Sequence, residues 1–173
     1  MFKKTQKTKE PENADKAYEY AVFLLSLKLR TMGELLTKME GKGYTAPVIE
    51  KVIEQLKSQR YLDDNLYAEV FLENLKAYRS FGYFGIKKKM MEKKLPIALI
   101  ESTLEGGLSV ADETKIAERL LKKIGYKIEN KASGDEVTYR TYGDDGGNKE
   151  KQKIANRLKS RGFRSEVIGR LLF

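Results

Sequence analysis

The sequence predicts an all-α protein of three tandem three-helix repeats stacked into an elongated, curved body. Three observations predict it. Almost every long segment carries apolar residues at helical spacing. Three stretches superimpose without a gap. Between them stand the polar and glycine residues that start and stop helices.

Taken in order, MFKKTQKTKEPEN (1–13) reads as a flexible, basic N-terminal tail. A first helix over 14–27 contains AYEYAVFLLSL, which sets Ala17, Ala21, Leu24 and Leu25 on one face. TMGELLTKM follows, with Glu34 three residues after Thr31. That spacing is a capping box, in which hydroxyl and carboxylate each accept from an orphan backbone amide. Leu35, Leu36 and Met39 form the expected buried face, and Gly43 stops the helix. Thr45 precedes APVIEKVIEQLKSQ, whose stripe is Val48, Ile49, Val52, Ile53 and Leu56.

The repeat lies in LLTKMEGKGYTAPVIEKVI (35–53), IKKKMMEKKLPIALIESTL (86–104) and IANRLKSRGFRSEVIGRLL (154–172). Leu35, Ile86 and Ile154 align, as do Met39, Met90 and Leu158. Tyr44, Leu95 and Phe163 align after the turn residues Gly43, Lys94 and Gly162, placed to plug between two helices. Ile49, Ile100 and Ile168 align, then Ile53, Leu104 and Leu172. Further helices over 14–27, 64–78 and 111–124 precede each pair. The expected repeats are 14–62, 63–108 and 109–173, the last carrying a polar insert over 125–150. That insert reads as a loop with an acidic tip; VTYRTY within it has hairpin character.

Asp63 and Asp64 stand side by side before LYAEVFLENLKAY. A metal or proton-transfer site would need further carboxylates or a base, and the motif supplies none. Asp63 therefore reads as an N-cap and Asp64 as an anion in the first turn. Tyr67, Val70, Phe71, Asn74 and Tyr78 form one stripe of the helix, with Leu66, Leu72 and Leu75 beside it.

Lys and Arg number 34 against 25 Asp and Glu, a formal net charge of +9. Mean hydropathy is -0.56. The excess favours a polyanionic partner. With 0 His and 0 Cys, imidazole and thiolate chemistry are excluded. Only carboxylate chemistry with a hard cation remains, and a carboxylate-metal nuclease ranks last among the readings; no cofactor or metal is expected. The N-terminus lacks the apolar core of a signal peptide and no segment is apolar enough to span a membrane, so a cytoplasmic, membrane-free monomer is expected.

The candidate contacts are cationic. IKKKMMEKK offers Lys87, Lys88, Lys89, Lys93 and Lys94, with Arg79 upstream and Phe81, Tyr83 and Phe84 beside them. Equivalent positions hold Lys38 and Lys42, then Arg157, Lys159 and Arg161, with Arg164 and Arg170 as extensions. Cations next to rings suit a phosphate backbone and stacked bases. The bland alternative is a solvated lysine face with the rings in the core.

RYLDDNLYAEVF resembles the G-Y/L-L-D-D-x-x-F/Y-A-x-x-F signature of the bacterial RecX family, regulators of the RecA recombinase. LKLRTMGELLTKM resembles that family's R-S/T-x-x-E-L helix start, and KIANRLKSRGFRSEVI its closing L-x-x-R-G-F/Y-x-x-x-x-I. The likeness covers roughly residues 17–173 outside the insert. Leu62, Asp63, Asp64, Tyr67, Ala68 and Phe71 match the signature and, with Thr31, Glu34, Gly162 and Phe163, read as structural. Arg60 departs from the family's Gly, Gly82-Tyr83 from its Gly-Pro, and Gly85 from its Arg. The resemblance implies a non-catalytic partner of the RecA filament that restrains strand exchange and coprotease activity. It does not assign contacts, so the cations above are bets. The alternative is a stand-alone, basic, helical module binding single- or double-stranded nucleic acid.

Overall fold

The computed structural model describes residues 7–126 and 144–173, and all regular structure among them is helical. In order the helices are α1 (Ala14–Leu27), α2 (Met32–Lys42), α3 (Ala46–Ser58), α4 (Asp64–Tyr78), α5 (Tyr83–Glu92), α6 (Ile97–Gly107), α7 (Val110–Lys123), α8 (Asp144–Ser160) and α9 (Ser165–Leu172). They read as three successive triplets. The chain forms two compact units, one within Met1–Val70 and Met90–Ile100, the other within Phe71–Lys89 and Glu101–Phe173.

Each triplet turns the same way. The residue after the second helix is left-handed in all three: Gly43 at φ 97°, Lys94 at φ 58° and Gly162 at φ 79°. That conformation closes a helix C-terminus and redirects the chain. The next residue then enters the core, where Tyr44, Leu95 and Phe163 are all buried. Of the other aligned apolar positions, only Ile154 and Ile168 are half-buried. Val167, beside Ile168, takes the fully buried place in α9.

Several expectations change in detail. Residues 8–13 are tied down rather than free: the Thr8 N–H donates to Lys42 O at 2.8 Å and the Thr45 N–H to Pro11 O at 3.0 Å. Asn13 then caps α1, its side chain accepting from the Lys16 N–H at 3.0 Å. Leu36 is 37% exposed, because only Leu35 and Met39 of α2 face inward. In α4 the buried stripe is Ala68, Leu72 and Leu75, whereas Leu66, Val70 and Tyr78 are exposed. The i, i+4, i+7 face that won was the one led by a small Ala. The expected insert ends early, since α8 begins at Asp144. The VTYRTY segment lies outside the described residues.

Candidate functional site

In the first unit, the acid pair divides between two helices. Asp63 caps α4: its Oδ1 accepts from the Asn65 and Leu66 N–H groups, both at 3.0 Å. Asp64 instead accepts from the Met32 N–H at 2.8 Å, so it caps α2 from outside that helix. Its Oδ2 is buried without a partner. Burial raises its pKa, against the Met32 bond and Lys57, with Asp63 and Glu34 adding like charge. The first-turn dipole is therefore outweighed, because a half-buried carboxylate loses its water.

The capping box at Thr31 is half formed. Thr31 Oγ1 accepts from the Glu34 N–H at 3.1 Å and donates to Lys93 O. Glu34, however, turns to Lys93 Nζ at 3.3 Å. Desolvation opposes charge on Lys93, but Tyr67 and Glu34 together outweigh it and raise its pKa. Lys94 Nζ lies 2.6 Å from Thr37 Oγ1. A Cβ on Gly33 would stand 2.5 Å from Lys94 O. These two lysines therefore anchor the turn after α5 onto α2. Lys42 sits 5.5 Å over the Tyr20 ring, and Lys38 is exposed.

The second unit repeats the device with a residue the sequence reading missed. Glu113, in the first turn of α7, is 0% exposed. Its Oε1 accepts from the Tyr83 N–H at 3.0 Å and the Arg164 N–H at 2.8 Å. Its Oε2 pairs with Arg164 Nε. Glu113 thus caps α5 as Asp64 caps α2. No spacing signals it, since Tyr83 lies thirty residues away in sequence. Backbones meet closely here: a Cβ on Gly82 would stand 2.3 Å from Phe163 Cα, and one on Gly85 2.2 Å from Arg161 O.

This docking gathers cations around one ring. Lys89 Nζ and Arg161 Cζ each lie 5.9 Å from the Phe81 centroid. Arg161 also donates to Ser80 O at 3.2 Å, next to exposed Arg79. Lys88 is exposed one turn after Phe84, itself 59% exposed. Arg157 and Lys159 are exposed on the last turn of α8. Lys87 instead pairs with Glu101 at 2.7 Å, which raises its pKa. Of the two proposed extensions, Arg164 is committed to Glu113 and stands 5.1 Å from the Tyr83 ring, whereas Arg170 is exposed and pairs at the surface with Glu166 at 2.6 Å. Of the candidate cations in this unit, Lys88, Arg79, Arg157 and Lys159 are exposed, and Lys89 and Arg161 stand beside the Phe81 ring. No three carboxylates converge as a metal site among the described residues.

Comparison with known proteins bears on this geometry. The family model described as "RecX, first three-helix domain" matches residues 17–56, covering α2 and most of α1 and α3. Proteins named "Regulatory protein RecX" match nearly the whole chain. The one from Halalkalibacterium halodurans is 27% identical over 91% of this chain and 53% of its own length. That of Lactobacillus johnsonii is 29% identical over 94% and 54%. A solved structure titled as regulatory protein RecX superimposes with a TM-score of 0.73 at 20% identity, covering 91% of this chain and 72% of that one. The chain is thus similar to proteins of the RecX family in sequence and in fold. RecX from Lactobacillus salivarius gives a TM-score of 0.71 at 20% identity over 91% of this chain and 92% of its own. This chain spans about half the length of several of the curated RecX proteins it matches.

Proposed function

We propose that this chain is a non-enzymatic regulator that binds the RecA recombinase filament and mainly inhibits its recombination and coprotease activities. The observation carrying the reading is the cation cluster around Phe81 in a chain of net charge +9 that resembles RecX. A nucleoprotein filament is a polyanion, and partly desolvated cations beside rings hold phosphates and bases well. The relatives named regulatory proteins favour control of a partner over turnover of a substrate.

Co-sedimentation with RecA filaments, with and without DNA, tests this directly, alongside a strand-exchange assay. Saturating protein should pellet with filaments and slow exchange. Arg79→Glu with Lys88→Glu should weaken both effects while leaving the helical signal intact. Absence of any effect at saturation would count against the reading.

The rings beside the cations also favour a second reading, a stand-alone nucleic-acid-binding module. Neutralising about six phosphates predicts a slope near about -5 in log K against log salt on bare duplex. That slope, without preference for RecA-coated DNA, would select this alternative.

A further inference from the structure

Five helix ends in the described residues close on a left-handed residue, and three use glycine: Gly43, Gly125 and Gly162. Glycine takes that conformation without a Cβ clash. The other two are Arg60 at φ 59° and Lys94 at φ 58°. A side chain there weakens the folding equilibrium by roughly tenfold. Both exceptions are cations, but only one has a structural reason within the fold. Lys94 bonds Thr37 and packs against Gly33.

Arg60 has no such reason. Its backbone closes the end of α3, its N–H donating to Lys57 O and that of Tyr61 to Leu56 O, both at 2.9 Å. Glycine would do the same. The guanidinium is exposed, with no hydrogen bond, ion pair or ring contact among the described residues. The nearest acids along the chain are engaged elsewhere, Asp63 with Asn65 and Leu66, Asp64 with Met32. Lys57 is exposed one turn back, and the Tyr61 ring is 59% exposed alongside.

We propose that Arg60 is a nucleic-acid contact, its guanidinium taking a phosphodiester while the exposed Tyr61 ring stacks on a base. The fork geometry of arginine suits phosphate oxygens, and an exposed phenol gives a platform for any base. The proposal rests on the filament-binding reading, in which the chain meets a nucleoprotein, and adds a contact in the first unit that its family signature does not assign.

Arg60→Gly separates contact from scaffold because the two readings predict opposite changes. The full chain is measured against a dye-labelled oligo(dT) by fluorescence anisotropy across a salt series, and by urea unfolding. The variant should raise the urea midpoint, bind about five- to tenfold more weakly, and flatten the salt slope by about 0.7, one single-strand phosphate. Arg60→Lys should recover part of the affinity. A raised midpoint with unchanged oligonucleotide affinity would overturn the proposal. So would no oligonucleotide binding by the wild type. Weaker co-sedimentation with RecA filaments but unchanged oligonucleotide affinity would overturn it too, assigning Arg60 to a protein carboxylate. If instead the wild type fails to pellet with filaments while the oligonucleotide effect stands, the filament reading falls and this contact survives.

Discussion

Removing the Glu113 carboxylate should destabilise the second unit more than any surface change. The group is wholly buried and accepts two backbone N–H groups, at 3.0 and 2.8 Å, besides the Arg164 guanidinium. In Glu113→Ala all three donors lose their acceptor. A buried N–H left unpaired costs about 1–3 kcal/mol. A broken buried ion pair costs about 3–5 kcal/mol as a whole. The Arg164 side chain is 27% exposed and recovers some water, which places the expected loss near about 4 kcal/mol. Glu113→Gln is the sharper test. Its amide oxygen still accepts both backbone bonds, but its NH2 faces Arg164 Nε, donor against donor. The expected loss is about 2–3 kcal/mol. Urea unfolding followed by far-UV circular dichroism measures both, with Glu118→Ala, exposed on the same helix, as a control expected within about 0.5 kcal/mol. A Glu113→Gln variant as stable as that control would refute the claim that this acid holds α5 and the α8–α9 turn together.

Asp63→Ala should cost about 1 kcal/mol through the lost α4 cap, read from the same unfolding curves; no change would mean the cap bonds are replaced by water. Asp64→Asn keeps the acceptor for the Met32 N–H and removes a carboxylate whose pKa burial raises above 3.8. A raised folded pKa means that Asp64's contribution to stability is present below pH 3.8 and is lost as pH rises through the folded value. The variant should therefore gain stability relative to wild type as pH increases over that window. Parallel pH profiles would refute it. Gly82→Ala should be strongly destabilising, because its Cβ would stand 2.3 Å from Phe163 Cα and 2.5 Å from Phe163 N, both backbone atoms; a native unfolding midpoint would show that the two backbones separate easily.

Local rules carried much of the fold. Period-3.6 spacing located α1 and α4 to the residue. The alignment of Tyr44, Leu95 and Phe163 identified the core plugs, since a residue following a left-handed turn has one direction in which to point. The cap at Asp63 was equally legible, because its partners lie two and three residues away. Which face of α4 is buried was not legible, as several stripes on that helix are apolar and only its neighbours choose among them.

For the candidate site the division is sharper. The sequence by itself determined the positive charge, the absence of His and Cys, and the helical repeat that carries the lysines. Only the tertiary structure decided which cations are free for a partner. Lys87, Lys93, Lys94 and Arg164 look alike on a helical wheel with Lys88 and Arg157, yet each meets Glu101, Glu34, Thr37 or Glu113 from a distant segment. Charge is a property of the residue, whereas its availability depends on what the fold places within about 3 Å of it.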